Sequence, residues 1–480
     1  MRNPLLILII LNLVIGASTL TRGHEWGDDF ASYIMQAGSI LSGTTHEFVE
    51  HNSFTIYKSS TQIGPVAYPW GYPLILTPIY AIKGISPLAL KLPGLFFYGG
   101  FLACLYLLLN NRLTQSESLL GVSLFAFNPM LIRFLDQILS DIPFLFFSTL
   151  ALLLMMNEKK YRLSEYILLG CVIACAFFIR TTGILLLASY FALKFSRAWS
   201  DRRDHESIRK NAWSTFIVGS VFAALWFAYA LLFPGGGESY FAQYQDFQIQ
   251  TAVGFIYQYF QVFNLFFGES ILWKVLYPVL LMFFLSGAWI RRKEDKLFLV
   301  FFLLWLLLLI TWPFWQGPRF IFPLLPIFIY FTFQGMKFTI AKMPEKYAQM
   351  GRWVFYGFWS LTIIFFLSSS SANAYANLQN DRSINGPFDS YSREVYRYIQ
   401  EETAVNSVVV FFKPRAMRLM TGRDTIMSPE CDRILEGNYL VLSRKVGENQ
   451  QIPPEKIGDC NLPLVQVMKN TRFVVYEIQK

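Results

Sequence analysis

Apolar runs long enough to cross a lipid bilayer recur along most of this chain, and no other feature constrains its fold as strongly. They lie near residues 4–20, 88–110, 117–132, 143–157, 164–179, 182–195, 212–233, 271–290, 296–312, 320–336 and 353–371. Backbone in hydrocarbon must satisfy its own N–H and C=O groups, so such runs fold as helices. Only 15% of residues are charged and 54% are hydrophobic, whereas soluble globular chains carry about 25% charged residues. The expected fold class is a polytopic α-helical membrane protein with about eleven spans.

The first run, PLLILIILNLVIGASTL, has the length of a secretory signal. It follows a single Arg2, lacks a small-x-small cleavage site and leads directly into a polar stretch with functional character, so it is read as an uncleaved span. The stretch 70–83, WGYPLILTPIYAIK, is short and has prolines at hand, which suits a re-entrant or interfacial helix.

Leaving 70–83 uncounted puts the basic loops 157–162, 194–210, 291–296 and 337–346 on one side with the amino terminus. Counting it would move them outside, against the positive-inside rule. The expected location is the plasma (inner) membrane, with a cytoplasmic amino terminus. Outside lie the loop 21–87, the segments 128–144, 180–183, 234–248 and 311–320, and the carboxyl-terminal tail. Trp312, Phe314 and Trp315 resemble an interfacial aromatic belt. The net charge of +9 is accounted for by the basic loops, so nucleic acid is not an expected partner.

Past residue 371 the composition changes. SYSREVYRYIQEET (390–403) has helical periodicity, while 407–412, 438–443 and 472–478 look like strands. The expected division is a membrane domain, 1–371, and a soluble extracytoplasmic α/β domain, 372–480. Cys104, Cys171 and Cys175 lie within apolar runs. Cys431 and Cys460 lie in the tail, and whether they pair stays open.

The stretch RGHEWGDDFASYIMQAG (22–38) holds Glu25, Asp28 and Asp29 just after the first span. Charges often flank a span merely because solvent begins there. Here the Asp pair opens a helix, where the dipole favours acids, and Asp29 and Tyr33 share one face at i and i+4. A carboxylate held there suits proton abstraction from an incoming hydroxyl or amine.

WGDDFASYIMQA is followed in order by YPWGYPLILTPIYA, NPMLIRFLDQILSDIPF, FIRTTGILLLASY and GPRFIFPLLPIFIYF. Residues 1–371 thereby resemble the GT-C membrane glycosyltransferases, in particular the family-39-like group of protein O-mannosyltransferases and aminoarabinose transferases. The resemblance implies a polyprenyl-phosphate sugar as donor, a protein, lipid or glycan as acceptor, and reaction on the outer face. It also implies an acidic base in a first-loop Asp-Glu-x-x-Tyr motif. Aligning the tyrosine with Tyr33 puts the first acid on Asp29 and the second on Phe30; aligning the acid pair makes Asp28 the base and shifts the tyrosine by one. Asp29 is preferred, because it keeps the helix face with Tyr33. The family's second-loop acid matches Asp141 in LSDIPF, where Ser140 and Asp141 are equally suited to cap a helix beginning near Pro143. Asp136 is a weaker candidate. Tyr33, Tyr68 and Tyr72 are candidate substrate-binding residues.

A lipid phosphate needs cations at the outer interface, and Arg133, Arg180 and Arg319 fall at that level. Arg180 interrupts an apolar stretch, where an unpaired charge is costly, and arginine offers phosphate a bidentate fork. Structural ion pairing or snorkelling are the alternatives. His46 and His51 are five apart, not four, which argues against a zinc protease. No cofactor is required by the sequence, and a divalent metal is left without assigned ligands. The competing functions are a transporter or lipid-linked-sugar flippase, and a scaffold whose tail binds a partner. A transporter would place ionisable groups near the midplane and often shows inverted repeats.

Overall fold

The computed structural model describes residues 3–60, 64–158, 162–200, 203–236, 247–444 and 450–479. Parts of the expected loops 157–162, 194–210 and 234–248 therefore lie outside the described residues. The apolar runs are helical. Among the described residues five helices are long and apolar enough to cross a membrane, including Pro87–Asn110, His205–Leu232 and Ile271–Arg291, and six if a bent pair counts as one span. Shorter apolar helices cover Pro4–Thr19, Asp141–Asn157, Leu163–Ile179 and Lys296–Thr311.

The expected continuous span 117–132 is instead two helices, Gln115–Ala126 and Pro129–Leu135, bent by 55°. Pro129 supplies no N–H and disfavours helical backbone at Asn128. The Asn128 side chain then caps the second helix by accepting from the Leu131 N–H at 3.2 Å. The stretch 70–83 forms a helix, Gly71–Lys83, of 13 residues with Pro78 inside it. A helix at Ile249–Val262 was not anticipated.

Close helix packing depends on small residues. A Cβ on Gly287 would fall 1.9 Å from the Phe331 carbonyl oxygen, and one on Gly335 would fall 1.9 Å from that of Phe283. Only glycine lets the helices Ile271–Arg291 and Leu325–Ala341 approach so nearly.

Buried ion pairs fasten one end of the bundle. Arg112 and Arg291 both reach Asp295, at 2.7 and 2.8 Å. Lys337 reaches Glu117 at 2.8 Å, and Lys194 and Arg197 meet at Glu158. Asn111 bonds Asn157 at 3.3 Å, which joins these groups. The flanks of all four basic segments thus share one end.

At the other end stands a five-stranded sheet ordered β2-β1-β3-β5-β4. The strands are β1 Val408–Val410, β2 Asp424–Ile426, β3 Tyr439–Ser443, β4 Leu464–Lys469 and β5 Phe473–Ile478. β1 runs parallel to β2 and β3, and the other pairs are antiparallel. Helices Ser390–Glu402 and Pro414–Thr421 accompany it. Cys431 and Cys460 form a disulfide. The preceding helix, Glu345–Gln379, continues past residue 371. The first loop binds this unit: Trp26 packs its ring 5.0 Å from that of Phe412 and 5.7 Å from that of Phe411.

Candidate active site

Asp29 opens the helix Asp29–Ser42, which ends at Gly43 in the left-handed conformation, φ 76°. Its carboxylate has two partners. The Tyr68 hydroxyl donates to Oδ1 at 2.6 Å, and Arg319 donates from Nη2 to Oδ2 at 2.7 Å. The side chain keeps 23% of its surface exposed, so it is reachable from the cleft beside it. Although burial opposes ionisation, the Arg319 guanidinium and the Tyr68 hydroxyl hold this carboxyl below the usual aspartate range.

Asp141 begins the helix Asp141–Asn157, with Ser140 before it. Ser140 caps nothing with its side chain; its hydroxyl instead meets that of Tyr33 at 3.0 Å. Arg180 donates to Asp141 Oδ1 from the turn between Leu163–Ile179 and Ile184–Ser200. Arg319 stands 3.8 Å from Asp141 Oδ2, which accepts no hydrogen bond among the described residues. Phe320 lies 4.3 Å beneath the Arg180 guanidinium. Two carboxylates and two guanidinium groups therefore form one continuous row: Asp29, Arg319, Asp141, Arg180.

Three tyrosines form the wall behind this row. The Tyr33 ring is 4.8 Å from that of Tyr68 and 4.9 Å from that of Tyr72. The cleft in front has a volume of about 340 Å³ and is lined by Asp28, Asp29, Gln137, Arg319, Lys413 and Gln450, among others. Lys413 and Gln450 come from the C-terminal unit, where the sequence displayed no motif. Nothing in the local patterns KPRAMR and NQQ marks these residues, because only domain docking brings them here.

The other candidates lie elsewhere. Arg133 pairs with Glu25 at 2.7 Å and is mostly exposed. Asp136 is held by buried Lys91 at 2.6 Å and by the Thr21 backbone N–H at 2.6 Å. His51 bonds Asp424 of β2 at 3.1 Å. Asp28 shares the cleft but takes no part in the row: its carboxylate accepts the Arg415 backbone N–H at 3.1 Å, at the start of the helix Pro414–Thr421. Burial raises its carboxyl to about 6 against the pull of Arg415 and Lys413. Among the described residues no three His, Cys, Asp or Glu side chains gather to hold a metal ion.

Residues 67–233 match the family model described as dolichyl-phosphate-mannose-protein mannosyltransferase. ArnT from Cupriavidus metallidurans, solved bound to undecaprenyl phosphate, is similar over 98% of this chain and 97% of its own, at 11% identity and a TM-score of 0.60. This is the GT-C fold. The Archaeoglobus fulgidus oligosaccharyltransferase has the GT-C fold too. In its apo form it is similar over 92% of this chain and 69% of its own, with 12% identity and a TM-score of 0.60. Its complex with an inhibitory peptide and a dolichol-phosphate gives 11% identity and a TM-score of 0.58 over the same shares. No curated protein matches the sequence. The family match begins at Ala67, so it covers Tyr68, Asp141 and Arg180 but neither Asp29 nor Arg319.

Proposed function

We propose that this protein is a glycosyltransferase that moves a sugar from a polyprenyl-phosphate donor to an acceptor hydroxyl or amine. The observation that carries the reading is the row Asp29–Arg319–Asp141–Arg180 at the edge of a cleft. It sets a reachable carboxylate beside two cations at one level of the fold. A transporter would need its ionisable groups distributed along a path near the midplane. Two structures of this fold hold undecaprenyl phosphate and dolichol-phosphate, which suits a lipid-linked donor here.

Asp29 acts as general base. The acceptor oxygen or nitrogen attacks the anomeric carbon, its proton passes to the Asp29 carboxylate, and the bond from that carbon to the phosphate oxygen breaks. The electron pair leaves with the lipid phosphate, so no strong acid is needed. Arg180 and Arg319 offer forked N–H groups to the phosphate oxygens. Those oxygens compete with Asp29 and Asp141 for the same donors. Each bond that Arg319 transfers to phosphate returns basicity to Asp29, whose carboxyl Arg319 otherwise holds below the usual aspartate range. Tyr68 holds Asp29 from behind, and Tyr33, packed against both Tyr68 and Tyr72, joins them as support for the substrate-binding side of the row. Asp141 holds the two arginines in register.

In this reading the chain spans the inner membrane about eleven times. Residues 1–371 are the catalytic membrane domain, and 372–480 form an extracytoplasmic domain beside the outer loop 21–87. Protein, lipid and glycan acceptors all fit this chemistry. Membranes containing the protein, incubated with a panel of labelled polyprenyl-phosphate sugars, should release polyprenyl phosphate and label an endogenous acceptor. Loss of both with every sugar, in preparations where the folded protein is abundant, would refute the transferase reading.

A further inference from the structure

The C-terminal unit buries one arginine against the partner of the candidate base. Arg415 is fully buried, which is rare for arginine. Among the described residues no carboxylate lies within 4.0 Å of its guanidinium, and its Nε has no hydrogen-bond partner. Burying such a cation is costly, so its placement calls for an explanation beyond docking. Docking is already secured elsewhere: Trp26 packs among Phe411, Phe412 and Phe473, and Ser60 and Ser59 bond Met427.

What Arg415 touches is Tyr68. Its Nη1 lies 3.5 Å from the Tyr68 hydroxyl oxygen, its guanidinium carbon 5.4 Å from the ring centre, and Nη2 donates to the Pro65 carbonyl. Gly64 makes the space, with φ +126°; a Cβ there would sit 2.9 Å from the tyrosine hydroxyl oxygen and 3.3 Å from Nη1. A phenol has a single proton to give. With a guanidinium N–H directed at the oxygen's lone pair, that proton is left to point at Asp29, 2.6 Å away.

We propose that Arg415 is a positioning residue: it orients the Tyr68 hydroxyl toward Asp29, so that the carboxylate of the candidate base is fixed in place only when the C-terminal unit is docked on the first loop. The proposal rests on the reading of Asp29 as base. The charged or titratable groups that face Asp29 are Arg319, Tyr68, Arg415, neighbouring Asp28, Tyr33 and His24, with Lys413 across the cleft. Of these, Arg319, Tyr68 and Arg415 favour its charged form.

The experiment is a difference-infrared titration of the full-length protein in lipid nanodiscs, with the Asp29 carboxylate band assigned by subtracting Asp29→Asn. Arg415→Gln should raise the midpoint of that band by about half a pH unit or more, because it removes both a cation and the orientation of the hydroxyl. Tyr68→Phe, which keeps the ring beneath the guanidinium, should raise it likewise, and the double variant should go no further than the larger single one. A folded Arg415→Gln protein whose Asp29 midpoint stays at the wild-type value overturns the proposal. If Arg415→Gln does not fold, an unmoved midpoint in Tyr68→Phe overturns it equally. Sugar transfer by Asp29→Asn is measured alongside. Retained transfer refutes the base assignment itself, whereas lost transfer with an unmoved midpoint confines the failure to Arg415.

Discussion

Arg319 places Nη2 2.7 Å from Oδ2 of Asp29, although 290 residues separate them in the chain. Its other terminal nitrogen faces Asp141, and Asp141 in turn holds Arg180. Neither acid nor either arginine can be altered without changing the electrostatics of the rest, and the expected outcomes follow from that coupling.

Asp29→Asn should reduce sugar transfer by about 10²–10⁴-fold, the usual worth of a general base, while polyprenyl-phosphate binding and expression persist. Asp28→Asn should retain most turnover, since the Asp28 carboxylate faces Arg415 and the start of a helix in the C-terminal unit. Rates of label transfer for the two variants decide the matter. Full activity in Asp29→Asn with loss in Asp28→Asn would reverse the two roles.

Asp28 should make stability depend on pH. Burial raises its carboxyl from 3.8 to about 6, so the folded protein holds the proton more tightly than the unfolded chain. The stabilisation is complete below 3.8 and is lost as pH rises through about 6. The loss amounts to roughly 3 kcal/mol. Asp28→Asn mimics the protonated group and should remove this component. The check is the apparent Tm of both proteins in detergent between pH 4 and 7.5, about the range in which an aspartate so raised titrates. Parallel Tm curves for wild type and variant would exclude this linkage.

Arg180→Ala should weaken polyprenyl-phosphate binding by about 1.5–3 kcal/mol, the worth of a charged hydrogen bond. Arg180→Lys, which keeps the charge without the fork, should weaken it less. Removing this arginine also strips buried Asp141 of its hydrogen-bond donor, so some destabilisation is expected. Adding Asp141→Asn to Arg180→Ala should recover stability without recovering affinity. Titration of polyprenyl phosphate into nanodisc samples, read beside Tm, separates the two effects, and unchanged affinity in a folded Arg180→Ala protein would assign the arginine to structure.

Cysteines introduced at Ser53 and Ser390 should react with an impermeant thiol reagent in intact cells, and one at Ser207 should not. Ser53 lies on a first-loop helix that contacts β2, and Ser390 starts a helix of the C-terminal unit, so the two belong to one end of the fold. Labelling at position 207 without lysis would reverse the orientation and put the candidate site on the cytoplasmic face.

Much of the helical framework was legible because bilayer-length apolar runs have few other ways to satisfy their backbone. The same reading failed at 117–132, where summed hydrophobicity concealed the break that Asn128 and Pro129 impose. Helix Ser390–Glu402 and strands β1, β3 and β5 were visible from their periodicity. Strands β2 and β4 and the helix Pro414–Thr421 were not: β2 and the helix are too short to carry a pattern, and β4 is exposed or half-buried throughout and mixes polar with apolar residues.

For the site, sequence singled out Arg180 through the conflict between charge and an apolar surrounding, Arg133 and Arg319 through their level at the outer interface, Asp29 through its place on a helix face with Tyr33, and Asp141 through the family resemblance. It left Asp28 and Asp29 as rivals, because adjacent residues of the same type carry the same local signal. Tertiary structure separated them, giving Asp28 to the C-terminal unit and Asp29 to Arg319 and Tyr68. Arg133 and Arg180 differed in the same way, one paired at the surface with Glu25 and the other beside Asp141. Arg415 had no local signature at all. Hydrophobic patterning is written residue by residue and fixes which segments become helices in the membrane. Which charge meets which depends on how distant segments pack, and that is set only when the whole chain has folded.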